Sequence, residues 1–224
     1  MTFRIEVFEV ESYAREAAKV IAAHLPQSGS VILTGGTTAE KIYPILADSV
    51  SGDWSGITVG FSDERCVPPH DDASNYKMAS TLLLDEVGPK EVLRMAGEDD
   101  PEAGARLYDE AMRPFVETGI DLLLLGMGAD NHIGAMFPHS PALSDTECLA
   151  RAVDRPDGMK GITLTPPAML SAKEILLLVT GEGKAEALQR AVQGTATPEL
   201  IPARVLADHP SATFLVDTAA AANL

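Results

Sequence analysis

Four consecutive leucines, Leu122–Leu125, stand between Asp121 and Gly126. The run is too short for a membrane helix and shows no polar alternation, so it reads as a strand buried on both faces. Glu174–Thr180 has the same character. A strand covered on both sides demands helices above and below it, and the rest of the chain supplies them. Ile5–Phe8, Val31–Leu33, Thr58–Phe61 and Thr213–Val216 are further short apolar runs, and helix-patterned segments at Ser12–Leu25, Pro101–Thr118 and Ala185–Val192 alternate with the runs. Another helix is expected to begin near Asn75. Thr37, with Glu40 three residues on, fits a capping box opening a helix. The pattern predicts an α/β fold of Rossmann-like character. It is a single domain over residues 1–224, its mostly parallel sheet flanked by helices on both faces. No repeat, low-complexity tract or long linker divides it.

In such sheets, ligands bind beyond the carboxyl ends of the strands. Four polar clusters fall there: Gly35-Gly36-Thr37-Thr38, Asp63-Glu64-Arg65, Gly126-Met-Gly-Ala-Asp130-Asn-His132 and Gly181-Glu-Gly-Lys184. The first pairs a glycine turn with a helix N-terminus, which suits an anion; a plain threonine-capped turn has the same signature. Lys184 at a helix start opposes the helix dipole, which argues for a compensating ligand against the alternative of a solvated lysine. His132 is a candidate general base with Asp130 as its orienting carboxylate, or else a loop histidine bonded to backbone. In the second cluster one acid is suited to proton chemistry or a sugar hydroxyl, and Arg65 to an oxyanion or phosphate; a self-satisfied ion pair is the other reading.

Several chemistries find little support. The third cluster nearly matches a dinucleotide fingerprint, but Asn131 takes the last glycine's place and no helix follows, because Pro138 and Pro141 intervene. Gly52-Asp-Trp-Ser55-Gly56 sets its serine one place late for a nucleophile elbow. His132 and His139 lack a third convincing partner, so no metal is expected. Cys66 and Cys148 form no paired motif, which fits a reduced, cytoplasmic protein, and the acids beside Cys66 disfavour a thiolate. The charged N-terminus does not read as a signal peptide. The formal net charge is −16. A field of that sign repels nucleic acid and anionic membranes, and any phosphate site must be made locally positive.

At these clusters the chain resembles the 6-phosphogluconolactonases, within the group that includes glucosamine-6-phosphate deaminase. The matching stretches are Leu33-Thr-Gly-Gly-Thr-Thr38, Phe61-Ser-Asp-Glu-Arg-Cys-Val-Pro68 with Ser74-Asn75-Tyr76, Asp121 through His132 with Phe137-Pro138, and Ile162-Thr-Leu-Thr165 through Lys184. Ile201-Pro-Ala-Arg204 and Asp217 are similar to the family as well. The resemblance implies hydrolysis of 6-phospho-D-glucono-1,5-lactone without metal or cofactor, in the pentose phosphate pathway. His132 would activate water, with Asp130 or Asp63 assisting. Gly35, Gly36, Thr37, Thr38 and Lys184 would hold the phosphate, and Arg65 would lie near the substrate's anionic or carbonyl oxygens. Two alternatives stay open: a hexosamine-6-phosphate deaminase or isomerase, and a non-catalytic sugar-phosphate sensor. The deaminase pattern places a glutamate after the histidine, which Ile133-Gly-Ala-Met-Phe-Pro138 lacks.

Three departures from the family pattern stand out. Asn131 replaces a glycine between Asp and His; if the backbone there has positive φ, asparagine is the least costly substitute. Gly161 stands where the family carries an arginine, with Lys160 one position early as a candidate replacement. Thr37-Thr38-Ala39 replaces Ser-Thr-Pro.

Overall fold

The computed structural model describes residues 3–49 and 54–224. Met1 and Thr2 of the N-terminal segment, and Gly52 and Asp53 of the near-elbow, lie outside them. Among the described residues, seven strands form one parallel sheet: β1 (Arg4–Phe8), β2 (Gly29–Leu33), β3 (Ile57–Phe61), β5 (Glu91–Val92), β6 (Leu122–Gly126), β9 (Glu174–Val179) and β10 (Ala212–Asp217). Their spatial order is β1-β10-β9-β6-β2-β3-β5, every neighbouring pair parallel. Leu122–Leu125 are fully buried at its centre.

Helices flank the sheet on both faces: α1 (Tyr13–His24), α2 (Thr37–Ser49), α3 (Asn75–Ala79), α4 (Asp85–Val87), α5 (Pro101–Thr118), α6 (Pro166–Leu170) and α7 (Ala185–Gln193). The bounds of α5 follow from local chemistry. Asp100 accepts from the Glu102 and Ala103 amides at 3.0 and 3.1 Å, Pro101 occupies the first turn, and Gly119 at φ 83° ends the helix. Its Tyr108 hydroxyl bridges Phe61 N and O at 2.7 and 2.9 Å, fitting the space that Gly60 leaves bare.

The capping box foreseen at Thr37 is out of register. Glu40 N bonds to Gly36 O at 3.0 Å, so Gly36 is the cap residue and Glu40 is one place too late to reach back. The sequence also conceals a second sheet, β4-β8-β7, made antiparallel by β4 (Asp63–Arg65), β7 (Ala150–Asp154) and β8 (Lys160–Leu164). Asp63-Glu64-Arg65 is therefore a strand of its own and not merely a strand end. Among the described residues no helix is long and apolar enough to cross a membrane.

Candidate active site

Because the main sheet is wholly parallel, the carboxyl ends of β2, β3, β6 and β9 share one edge. The switch point lies there: from β2 the chain steps to β3 on one side, while β6 and β9 lie on the other. Thr34 Oγ1 accepts from Gly126 N at 3.1 Å and ties the two central ends together. Above them opens a cavity of about 180 Å³ whose walls include Gly35, Gly36, Thr37, Thr38, Asp63, Arg65, His132 and Lys184. Four stretches far apart in sequence thus meet in one cleft. Asp130 does not line it directly but stands behind His132.

The His132 loop is built around a turn. Asn131 N bonds to Gly128 O at 3.0 Å and Gly128 N to His132 O at 2.9 Å. Asn131 has φ 70°, the left-handed conformation a glycine would take most easily. Its side chain adds what glycine cannot: Nδ2 donates to Ala187 O of α7 at 2.6 Å, and Oδ1 accepts from Arg190 Nε at 3.3 Å. The turn does not run directly into a helix. A Cβ on Gly128 would fall 2.1 Å from His132 Nδ1 and 2.4 Å from Asp130 Oδ1, so only glycine permits the close approach.

Asp130 Oδ1 lies 2.6 Å from His132 Nδ1 and also accepts His132 N at 3.2 Å. Partial burial works against the charged carboxylate, but its bonds to His132 outweigh that and hold the pKa down at about 2. Asp130 is therefore ionised at neutral pH and can only accept. That assigns the Nδ1 proton to the neutral imidazole and leaves the Nε2 lone pair free. Nε2 makes no hydrogen bond among the described residues. The imidazole packs on Phe137 with centroids 4.5 Å apart.

The acid cluster divides. Glu64 faces inward and accepts from Asn75 N, Tyr76 N and Arg65 N at 2.8 Å and from Ser74 Oγ at 2.9 Å. Burial pushes its pKa up against these bonds. It serves to seat α3, and of the two acids only Asp63 lines the cleft. Asp63 is buried, accepts from Ser62 Oγ at 3.0 Å, and lies 3.4 Å from Asn75 Nδ2. Asn75 Oδ1 in turn accepts from Arg65 Nη1. A Cβ on Gly35 would fall 1.9 Å from Asn75 Oδ1, so the glycine loop and α3 also meet at van der Waals limits.

Thr38 Oγ1 bonds to Thr180 Oγ1 at 2.9 Å, joining the glycine turn to the end of β9. Lys184 closes a single turn before α7. That turn starts at Gly181, φ 90°, whose amide donates to both carboxylate oxygens of Asp217 at 3.0 Å. Burial lowers the Lys184 pKa, and the Asp130 carboxylate opposes the shift. The charged lining residues are Asp63 against Arg65, Arg155 and Lys184, so a chain of net charge −16 presents a locally positive cleft.

Asn75 and Arg155 line the cleft but were not among the site residues expected from the sequence. Asn75 was visible in the Ser74-Asn75-Tyr76 motif but was not assigned to the site. Arg155 carried no local signal. Lys160, considered as a replacement for the arginine absent at Gly161, turns away and pairs with Asp154 on the surface. His139 lies 3.7 Å from Glu199, also exposed. Cys66 lies off the cleft, and burial, with Glu64 and Glu98 nearby, pushes its thiol up to about 11.

The family model described as glucosamine-6-phosphate isomerases/6-phosphogluconolactonase matches residues 9–215. Relatives named 6-phosphogluconolactonase from Mycobacterium bovis and Streptomyces coelicolor are 34% and 33% identical; the matches cover 100% and 98% of this chain and 99% and 91% of theirs. Among solved structures, a 6-phosphogluconolactonase from Shewanella baltica is similar at TM-score 0.85 and 27% identity, over 96% of this chain and 97% of that one. A monomeric glucosamine-6-phosphate deaminase is similar at TM-score 0.86 and 22% identity, over 99% and 100%. The backbone alone therefore does not separate the two chemistries.

Proposed function

The chain belongs to the glucosamine-6-phosphate isomerase/6-phosphogluconolactonase family, and on that premise we propose that it hydrolyses 6-phospho-D-glucono-1,5-lactone to 6-phospho-D-gluconate. The observation that carries this reading is a histidine with a free Nε2 opening into a positively lined cleft. The names of its full-length relatives support the same activity.

In this reading His132 Nε2 takes a proton from a water molecule as its oxygen attacks the lactone carbonyl carbon. Asp130 holds the imidazole by Nδ1 and stabilises the imidazolium that forms. The tetrahedral intermediate then collapses, the bond from the carbonyl carbon to the ring oxygen breaks, and the imidazolium returns its proton to that oxygen. A positioned base contributes about 10²–10⁴-fold, which suffices for an already reactive lactone. Of the two carboxylates considered, Asp130 assists the base. Asp63, which makes no bond to His132, instead meets a sugar hydroxyl and fixes Asn75. Gly35, Gly36, Thr37, Thr38 and Lys184 receive the phosphate at the α2 and α7 starts, with Arg65 beside them. Two free cysteines, Cys66 and Cys148, suit a reducing cytoplasmic setting.

The test is an NMR time course of freshly made phosphorylated lactone, corrected for spontaneous opening, run beside an ammonia assay on glucosamine 6-phosphate. Accelerated opening without ammonia release is the expected result. Ammonia release with no acceleration would transfer the chain to the deaminase chemistry.

A further inference from the structure

Arg155 follows β7 in the hairpin to β8, closed by Arg155 N to Met159 O and Gly158 N to Arg155 O, both at 3.0 Å. Its side chain does not turn outward but folds back across β8. A Cβ on Gly161 would lie 3.1 Å from Arg155 Cδ and 3.5 Å from Cγ. Gly161 pairs with Arg65 on one side and Val153 on the other and has no positive φ, so backbone conformation does not require a glycine there. The arginine occupies the space instead.

The guanidinium ends at the cleft. Nε and Nη2 lie 3.2 and 3.1 Å from Asp157 Oδ2, while Nη1 is 3.9 Å from Asp63 Oδ2, beyond hydrogen-bond range. Its side chain is only 10% exposed. Burying a cation whose donors are partly unspent is costly unless an anion completes it. Arg65 reaches the same Asp63–Asn75 unit from the other side. Asp157 pairs with Arg155 and Asp63 stands by both guanidinium groups, so the surplus positive charge of the cleft comes with Lys184, while the unpaired Nη1 edge of Arg155 matches a phosphate oxygen. The reacting imidazole is not the partner. Phe137 packs on His132 at 4.5 Å and under Arg155 at 5.5 Å, spacing the guanidinium from the histidine by a ring.

We propose that Arg155, reaching across Gly161, binds the phosphoryl group of the substrate and sets the preference for a phosphorylated over a plain sugar lactone. The inference rests on the lactonase reading above. It assigns to a hairpin residue the charge that Lys160, paired with Asp154 outside the cleft, does not deliver.

The test compares kcat/KM on phosphorylated and plain glucono-1,5-lactone for the wild type, Arg155→Ser and the double variant Arg155→Ser/Gly161→Arg. The ratio of the two values does not depend on the folded fraction. Arg155→Ser is expected to lower the ratio about 10- to 100-fold, the worth of one hydrogen bond to a charged group, with plain-lactone turnover little changed. The double variant is expected to recover about tenfold, because a side chain from residue 161 starts 3.1 Å from where Arg155 Cδ now lies and can follow the same path. Glu64 O, 3.1 Å from that Cβ position, has only to give by a few tenths of an ångström. An unchanged ratio, equal losses on both lactones, or no recovery in the double variant overturns the proposal. A wild type that opens neither lactone overturns the lactonase reading instead.

Discussion

Asn131 Nδ2 donates to Ala187 O across 2.6 Å, so the turn that presents His132 is fastened to the helix that begins immediately after Lys184. The candidate base and the candidate phosphate lysine are thereby held in one rigid unit, although 52 residues separate them in the chain.

Asn131 is placed to satisfy two demands at once, and two substitutions separate them. Asn131→Gly keeps the positive φ and loses the tether; Asn131→Ala loses both. The alanine variant should be the less stable by about 1 kcal/mol, the cost of forcing a Cβ into the left-handed region. Denaturant unfolding of the two proteins decides it, and equal midpoints would contradict the backbone conformation at this residue.

His132→Ala should reduce kcat by about 10²–10⁴-fold while KM on the phosphorylated lactone stays within a few-fold. Asp130→Asn should cost about 10²-fold, because an amide can present its NH₂ to Nδ1 and favour the wrong tautomer. Near-normal initial rates for His132→Ala would remove the imidazole from the chemistry.

Asp130 also marks stability. Its carboxyl is held at about 2 when folded, below the ordinary aspartate value. A depressed acid contributes stability that is fully present above its unfolded pKa and is lost as pH falls through the folded one. Acid unfolding of the wild type should therefore steepen between about pH 4 and about pH 2, and Asp130→Asn should flatten that segment. Superimposable acid curves would deny the Asp130–His132 bond a role in folding.

Lys184 predicts a different dependence. Its pKa is lowered by burial, so the ammonium is lost as pH rises, earlier than for an ordinary lysine. Inhibition by 6-phosphogluconate should weaken on the alkaline side, and Lys184→Met should bind weakly with no such limb. A limb of the same shape in both proteins would assign it to another group.

Two glycines can be tested against each other. Gly128→Ala pushes a methyl onto His132 Nδ1 at 2.1 Å, and Gly35→Ala pushes one onto Asn75 Oδ1 at 1.9 Å. The first should lower kcat, since the part-exposed His132 and Asp130 side chains swing aside. The second should raise KM and cost about 1–3 kcal/mol, since Asn75 is buried and anchors Arg65. Steady-state kinetics with thermal unfolding separate the two; a kcat defect in Gly35→Ala alone would reverse the assignment.

The parallel sheet was legible because its strands are buried on both faces, which forces unbroken apolar runs such as Leu122–Leu125 and Ile175–Val179. The small antiparallel sheet was not, because Ala150–Asp154 and Lys160–Leu164 mix charged and small residues and are defined by pairing with Asp63–Arg65 far away. Glu64 shows the same limit: beside Asp63 it looks equivalent, and only the arrival of the Ser74 hydroxyl and the Asn75 and Tyr76 amides turns it into a buried helix anchor.

The amino-acid sequence by itself determined the layered α/β class and the four polar clusters at strand ends, since periodicity and turn chemistry are local properties. It also specified Asn131 as the substitute able to hold a positive φ. Tertiary structure alone decided that Asp130 and not Asp63 grips the imidazole, that Lys160 points away, and that Arg155 crosses Gly161 to enter the cleft. Those outcomes depend on which strands become neighbours and how much room a missing side chain leaves, and neither quantity is written in any single stretch of the chain.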